Sequence, residues 1–86
     1  MPYQLIIPKR VQKQLDGLPE RVYERIREQI VALSDVPRPP GTKKLEGYQD
    51  RYRVRVGDYR VVYIVDDTAR RLELESVRHR SDVYRQ

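Results

Sequence analysis

Residues 51–65 read RYRVRVGDYRVVYIV, a pattern typical of a β-hairpin. Apolar and charged side chains alternate through the first six residues, and a second strand pattern follows Gly57-Asp58. This dipeptide suits a two-residue turn because glycine readily adopts the positive φ that such turns require. The sequence therefore predicts two antiparallel strands in which Val56 lies opposite Tyr59.

This pairing assigns each side chain to one face of the sheet, since alternate residues of a strand point to opposite sides. The face that should receive the helices carries Val54, Val56, Tyr59, Val61 and Tyr63. Arg53, Arg55 and Arg60 lie together on the other face. Like charges directly opposite each other destabilise a sheet, so stability does not explain why Arg55 is placed beside Arg60.

A second hairpin is predicted after the first, with a turn at residues 66–69 and a strand over residues 70–77. We expect Val65 opposite Arg70 in this hairpin. That register places Leu72, Leu74 and Ser76 on the apolar face, and Glu73 and Glu75 beside the arginines.

The remaining elements precede the hairpins. Residues 3–8 form a predicted first strand, and Val11, Leu15 and Leu18 recur at helical spacing. Pro19 suits the first turn of a second helix, whose apolar stripe is Val22, Ile26, Ile30 and Leu33. Residues 35–42 contain three prolines and a glycine, which indicates an irregular connector. The expected fold is α+β: an N-terminal strand, a helical hairpin and an antiparallel meander, giving a four-stranded sheet with two helices on one face.

Length and composition limit the functions that this chain can have. With 86 residues, 38% hydrophobic and 36% charged, we expect one domain over residues 1–86, with a thin core and no deep cavity. Cysteine is absent and there is one histidine, so neither a disulfide framework nor a zinc site is expected. The N-terminal apolar run is too short for a signal sequence or membrane span, which predicts a cytoplasmic protein with no membrane partner. The net charge of +5 favours a polyanionic partner.

Two interpretations of the arginine-bearing face remain open. It is either a solvated surface on which Glu75 neutralises Arg60, or a binding site for a phosphodiester. Guanidinium groups that are fixed on a rigid sheet match phosphate geometry and lose less entropy on binding than loop residues would.

A second group of basic and aromatic side chains follows the last strand. It comprises Arg78, His79, Arg80, Tyr84 and Arg85, and Ser81 is placed to cap a final helical turn. Imidazole, phenol and guanidinium groups are the groups needed to activate a ribose hydroxyl, stabilise a pentavalent phosphorane and protonate a leaving oxygen. The alternative is a disordered basic tail, which chain termini often are.

Four segments together resemble the RelE family of toxins from type II toxin-antitoxin systems. They are KKLEG at 43–47, RYRVR at 51–55, GDYRVVY at 57–63 and HRSDVYR at 79–85. The resemblance extends over essentially the whole chain. It implies a RelE-like microbial RNase fold and a metal-independent endoribonuclease without a cofactor. Such an enzyme cuts the mRNA codon in the ribosomal A site by attack of a 2′-hydroxyl on the neighbouring phosphate, and thereby inhibits translation.

The resemblance also implies roles for individual residues. Arg60 would hold the scissile phosphate, Arg78 would stabilise the transition state or protonate the leaving group, and Tyr84 would stack on or orient the base. Arg80 remains an alternative to Arg78. Further RNA contacts are expected from Lys43, Lys44, Arg51, Arg80 and Arg85.

The resemblance does not identify the general base. Arg53 and Arg55 stand where family members often carry lysines, one of which is proposed as the base. Because arginine stays protonated at physiological pH, we expect these two residues to provide electrostatic stabilisation. His79 is then the candidate for acid or base.

The resemblance implies a RelB-like antitoxin, the 30S A site and mRNA as partners, and operator DNA only for the toxin-antitoxin complex. Val62 and Ile64 share the sheet side with Arg60, so an acidic antitoxin segment could bury this mixed surface. Two alternative functions remain: a ParE-like toxin that inhibits DNA gyrase by binding, and a non-catalytic RNA- or DNA-binding domain.

Overall fold

The computed structural model describes residues 2–83, in which five strands and three helices follow one another along the chain. The strands are β1 (Gln4–Ile6), β2 (Lys43–Lys44), β3 (Arg51–Val56), β4 (Tyr59–Asp66) and β5 (Arg71–His79). The helices are α1 (Lys9–Asp16), α2 (Glu20–Asp35) and α3 (Arg80–Val83). The predicted α+β order is confirmed, with the helical hairpin between the first strand and the meander.

Proline sets the start of both long helices. Pro8 and Pro19 lie immediately before α1 and α2 with extended backbone, so the first helical residue follows each proline. Along α2, Ile26, Ile30 and Leu33 are buried while the charged residues of the opposite side face solvent, as the apolar stripe predicts.

The sheet has the order β1-β5-β4-β3-β2 and is mixed, because β1 runs parallel to β5 while the other pairs are antiparallel. The predicted count of four strands was wrong by one. Lys43 pairs with Arg53 and Lys44 pairs with Tyr52, which makes β2 a fifth strand. Two lysines carry no alternating pattern, and their strand geometry is imposed by pairing with β3.

The predicted register of the first hairpin is confirmed. Val56 lies opposite Tyr59, Arg55 opposite Arg60, and Val54 opposite Val61, with Gly57 at a φ of 60° in the turn. The inner face of the sheet packs on the helices, and its buried residues are Val54, Val56, Val61, Tyr63, Val65, Leu72, Leu74 and Val77.

The register of the second hairpin differs from the prediction. Val65 pairs with Leu72, not with Arg70, because the turn occupies residues 67–70. Asp66 stabilises this longer turn by accepting a hydrogen bond from the Ala69 backbone at 2.9 Å, and Arg70 has a φ of 55°.

A β-bulge in β5 then changes the face on which the following residues lie. Tyr63 pairs with Leu74 but its neighbour Val62 pairs with Ser76, so Glu75 is an extra residue in β5. The prediction that Ser76 lies on the apolar face was therefore wrong. The extra residue moves Ser76 to the opposite face and places Val77, which is 4% exposed, in the core.

Side chains of α1 cover the outer edge of β5 beyond the bulge. β1 ends at Ile6, opposite Glu73, so the next residues of β5 have no strand on that side. Gln14 accepts a hydrogen bond from the Val77 backbone N–H at 2.8 Å, and Arg10 donates to the Glu75 backbone carbonyl. These contacts satisfy backbone groups that would otherwise be unpaired.

A polar cluster fastens the connector after α2 to the turn between β4 and β5. Arg38 forms an ion pair with Asp67 at 2.7 Å, and Tyr3 donates a hydrogen bond to the same carboxylate at 2.6 Å. The Arg38 guanidinium, followed by the Tyr3 hydroxyl, lowers the pKa of Asp67 below its ordinary value. Nearby, the fully buried Tyr63 donates to the Pro37 carbonyl at 2.7 Å, and burial raises the pKa of this phenol.

No helix in the described part of the chain is long and apolar enough to cross a bilayer.

Candidate functional site

Three arginines from neighbouring strands form a row on the outer face of the sheet, opposite the helices. Arg55 of β3 pairs with Arg60 of β4, and Arg60 pairs in turn with Arg78 of β5. We call Arg55, Arg60 and Arg78 the arginine row. Arg78 belongs to this row because the β-bulge moves the residues that follow it in β5 to the opposite faces of the sheet. No ion pair neutralises the row within residues 2–83.

The row is surrounded by further positive charge. Arg53 lies on the same face, between Lys43 of β2 and Val62 of β4, so Lys43 extends the basic surface to the edge of the sheet. Lys44 pairs with Tyr52 and therefore lies on the helix side. Of the two predicted lysine contacts to RNA, the structure brings only Lys43 toward the row.

Glu75 neutralises a different arginine from the one predicted. Its Oε1 lies 2.8 Å from the guanidinium of Arg51, whereas the predicted partner is Arg60. The longer turn accounts for most of the difference, because it shifts β5 by two residues and places Glu75 nearest Val62, and the bulge then leaves Glu75 outside the ladder. The arginine row consequently keeps its full positive charge among the described residues.

This arrangement favours a phosphate ligand. Cross-strand guanidinium groups repel one another, and each such contact lowers stability unless an anion lies between them. Planar guanidinium forks on a rigid sheet can each donate paired hydrogen bonds to phosphate oxygens. The geometry is therefore suited to holding a phosphodiester and to stabilising charge that develops on its oxygens.

His79 points to the other side of the sheet. It pairs with Tyr59, whose ring it meets edge-on at 5.1 Å, and both rings lie on the helix side. Its Nδ1 accepts a hydrogen bond from the Ser81 backbone N–H at 3.1 Å and lies 2.8 Å from the Ser81 hydroxyl. His79 thus caps the first turn of α3, a role that was predicted for Ser81. The structure does not bring its imidazole to the arginine row.

Arg80 begins α3 and lies at the end of the row. Its backbone N–H donates to the Asp58 carbonyl at 2.7 Å, which fastens α3 to the turn between β3 and β4. Arg80 also lines a small hollow together with Arg55 and Arg60. The structure therefore brings both Arg78 and Arg80 to this region. Tyr84 and Arg85 lie outside the described residues.

Beside the row is a hollow of about 390 Å³ that the sequence analysis did not predict. We call it the Tyr48 hollow; the residues around it include Arg10, Tyr48, Arg51, Val62, Glu75 and Arg78. The Arg51 guanidinium lies 4.4 Å from the centre of the Tyr48 ring. Tyr48 lies in the loop between β2 and β3 and belongs to no periodic pattern. Its place in this hollow therefore becomes visible only in the folded structure.

Within residues 2–83, no three His, Cys, Asp or Glu side chains lie where they could together hold a metal ion.

Comparison with known proteins gives consistent matches along the chain. The family model described as ParE toxin of type II toxin-antitoxin system, parDE, matches residues 5–84. The chain is 33% identical over 88 residues to the putative toxin RelE1 of Methanocaldococcus jannaschii, covering 99% of this chain and 98% of that protein. It is 32% identical over 85 residues to toxin RelE of Mycobacterium tuberculosis, covering 98% and 88%.

Solved structures agree with these matches. The archaeal RelE-RelB complex from Pyrococcus horikoshii contains a chain with a TM-score of 0.83 and 36% identity, covering 93% of this chain and 97% of that one. A free E. coli RelE variant, in which two arginines are replaced by alanine, has a TM-score of 0.79 and 31% identity, covering 98% and 92%.

Proposed function

This chain belongs to the RelE/ParE superfamily of toxins from type II toxin-antitoxin systems, and from that membership we propose that it is a metal-independent endoribonuclease that cuts messenger RNA on the ribosome. The observation that carries the proposal is the arginine row. Arg55, Arg60 and Arg78 lie in register on three strands with no ion pair among the described residues. A toxin that acted only through apolar contacts would gain nothing from this unneutralised charge.

In the proposed reaction, the 2′-hydroxyl oxygen of one nucleotide attacks the adjacent phosphorus atom. The bond from phosphorus to the 5′-oxygen of the next nucleotide breaks, the 2′-hydroxyl proton passes to a base, and the departing 5′-oxygen takes up a proton. The products are a 2′,3′-cyclic phosphate and a 5′-hydroxyl. Negative charge accumulates on the phosphoryl oxygens during the attack, where Arg60 and Arg78 stabilise it.

The neighbouring residues support this reaction in different ways. Arg53 and Arg55 raise the local positive potential and draw the RNA backbone to the face. Arg80 stays an alternative to Arg78 as the arginine that acts on the leaving group. The E. coli variant noted above lacks two arginines that are two residues apart, and Arg78 and Arg80 have the same spacing. Tyr84 keeps its predicted role of stacking on the substrate base.

An open, flat site suits an RNA substrate that is held in place by another macromolecule. In the described part of the chain, the row lies on the face of the sheet opposite the two long helices. Messenger RNA that the ribosomal A site holds in an extended form would dock on such a face with its backbone already ordered. Cutting should therefore depend on the ribosome, which orders the RNA backbone before it reaches the row.

We also assign a RelB-like antitoxin as the partner in a cytoplasmic complex that binds operator DNA. Several similar structures are complexes of RelE with RelB. Val62 and Ile64 are half-buried on the same face of β4 as Arg60, so an antitoxin segment with acidic and apolar side chains would cover this surface and block the row.

The decisive experiment uses purified protein with ribosomes stalled on a defined message. Cuts in the A-site codon, mapped by 5′-end sequencing, are expected for the wild type and for Arg71→Met, an arginine of β5 outside the row. Arg60→Met and Arg78→Met should lose cutting by at least about a hundredfold, the effect of removing one oxyanion-stabilising group. A 2′-deoxy substitution at the cut nucleotide should abolish it. Equal cutting by Arg60→Met would refute the proposed site.

For His79, the pH profile of single-turnover cleavage separates two roles. Loss of one limb of the profile in His79→Gln would indicate proton transfer, whereas an unchanged profile would restrict His79 to capping α3.

A second candidate function is inhibition of DNA gyrase, favoured by the family model, which is named for ParE. A supercoiling assay with purified gyrase tests it. Inhibition without cutting on ribosomes would replace the proposed function.

A further inference from the structure

We propose that the Tyr48 hollow is a base-recognition site that accepts a nucleobase with an exocyclic amino group and rejects uracil. The inference rests on the proposed function in one respect, because the base would belong to the RNA strand whose phosphate lies on the arginine row. Arg78 joins the two sites, since it belongs to the row and also lines the hollow.

The first observation is an exposed aromatic ring with a cation on it. Tyr48 is 48% exposed, and Arg51 lies over its ring at 4.4 Å from the centre. The guanidinium holds the ring at the rim of the hollow, and the exposed part of the ring is available to a second planar group. Stacking of bases on aromatic side chains is a common mode of single-strand recognition.

The second observation is an unused hydrogen-bond acceptor. Glu75 bonds Arg51 through Oε1, while its Oε2 is buried and has no partner in the described part of the chain. A buried carboxylate oxygen without a donor is unusual and points to a ligand that supplies one. Since the terminal torsion of glutamate is soft, a small rotation turns this oxygen toward an incoming group.

The surroundings hold the backbone of Glu75 beside the hollow. Arg10 donates to the backbone carbonyl of Glu75, and the β-bulge orients this residue away from the regular ladder. Val62 provides an apolar surface beneath the hollow. The site therefore combines a stacking ring, an apolar floor and a directed acceptor, which are the elements of a small planar-ligand site.

The acceptor determines which bases fit. Adenine, cytosine and guanine carry an exocyclic amino group that can donate to a carboxylate, whereas the donor on the corresponding edge of uracil is N3–H, which lies between two carbonyl oxygens. If uracil donated its N3–H to Glu75, the carbonyl oxygens on either side of N3 would lie close to the carboxylate. Repulsion between these oxygens weakens the binding of uracil relative to the bases that carry an amino group.

The test measures binding without cleavage and without ribosomes. Each of AMP, CMP, GMP and UMP is titrated into isotope-labelled protein, and the amide signals of Tyr48, Glu75 and Ser76 are followed by NMR. The four nucleotides share one phosphate, so contacts to the arginine row cancel in the comparison. We expect UMP to bind about tenfold more weakly than the others at these signals, the effect of one charge-assisted hydrogen bond.

Variants test the carboxylate acceptor and the aromatic ring separately. Glu75→Gln should abolish the discrimination, because an amide can donate to uracil as well as accept from the other bases. Tyr48→Leu should weaken all four nucleotides by about fivefold or more through lost stacking, while Tyr48→Phe retains binding. Glu73→Gln is the matched control. If Glu75→Gln fails to fold, Glu75→Met keeps the apolar stem, removes the acceptor and should likewise abolish the preference.

Equal binding of UMP and GMP by the wild type, or a preference that survives Glu75→Gln, would overturn the inference even if ribosomal cutting is observed. Conversely, discrimination that is lost in Glu75→Gln supports it even if the chain fails to cut RNA.

Discussion

Replacing Arg60 by methionine should stabilise the protein while it removes activity. Arg60 is the middle member of the arginine row and faces a like charge on both sides, Arg55 and Arg78. If each like-charge pair costs about 0.2–1 kcal/mol, as favourable pairs gain, removing two of them raises the free energy of unfolding by about 0.4–2 kcal/mol at low ionic strength. Methionine keeps the apolar stem that covers the sheet, so little packing is lost.

The measurement is urea unfolding of wild type and variant at two salt concentrations. The screening length falls from about 30 Å at 0.01 M to about 3 Å at 1 M, so the gain should be largest in dilute buffer and small in concentrated salt. In thermal unfolding, each kcal/mol corresponds to about 4–8 °C for a domain of this size. Arg71→Met is the control, since Arg71 pairs across the strands with Asp66 and its loss should give no stabilisation.

One result would refute this reasoning. An Arg60→Met protein that is no more stable than the wild type in 0.01 M salt, or whose stability difference is the same in 1 M salt, would show that the three guanidinium groups do not repel one another. Other contacts on the same face would then have to offset the repulsion between the arginines. In that case the row would have no need of a bound anion, and its role as an anion site would lose its physical basis.

Three further predictions test the fold around the site. Val77→Ala should lower the free energy of unfolding by about 1.5–3 kcal/mol in urea titrations, because a core side chain is truncated. Ser76→Ala should change it by less than about 0.5 kcal/mol, because Ser76 lies on the outer face. A larger loss for Ser76→Ala than for Val77→Ala would place the bulge elsewhere. Wild type should be more stable than Asp67→Asn at neutral pH, because Arg38 lowers the pKa of the Asp67 carboxyl in the folded state. This advantage should disappear as the pH falls below the ordinary carboxyl value of 3.8 and Asp67 becomes protonated. Identical acid-unfolding curves of the two proteins would contradict this. Tyr63→Phe should cost about 1–3 kcal/mol by leaving a carbonyl of the connector without its donor, as chemical denaturation would show; an unchanged midpoint would mean that this hydrogen bond contributes nothing.

Much of the fold could be predicted from local patterns. The helical stripe of α2 and the turn at Gly57-Asp58 are encoded by nearby residues, so both helices and the register of the first hairpin agree with the sequence analysis. The two-residue strand β2 could not be predicted, because its conformation depends on pairing with β3 and not on its own side chains.

The bulge is an intermediate case. Apolar residues recur at 72, 74 and 77, and the odd step between the last two marks a change of face. Strict alternation placed Ser76 inward instead, and with that register Arg78 would not have joined Arg60. The Tyr48 hollow depends on four separate segments, so only the folded chain brings its residues together.

The short outermost strands also bear on how copies of this protein behave together. β1 has three residues and β2 has two, both lysines, so the described sheet offers few free backbone groups to a neighbouring molecule. Two copies that approached through β2 would bring four ammonium groups together, which disfavours intermolecular strand pairing and the growth of fibrils. The same lysine that extends the basic face thereby helps to keep the β-sheet from serving as a template for aggregation.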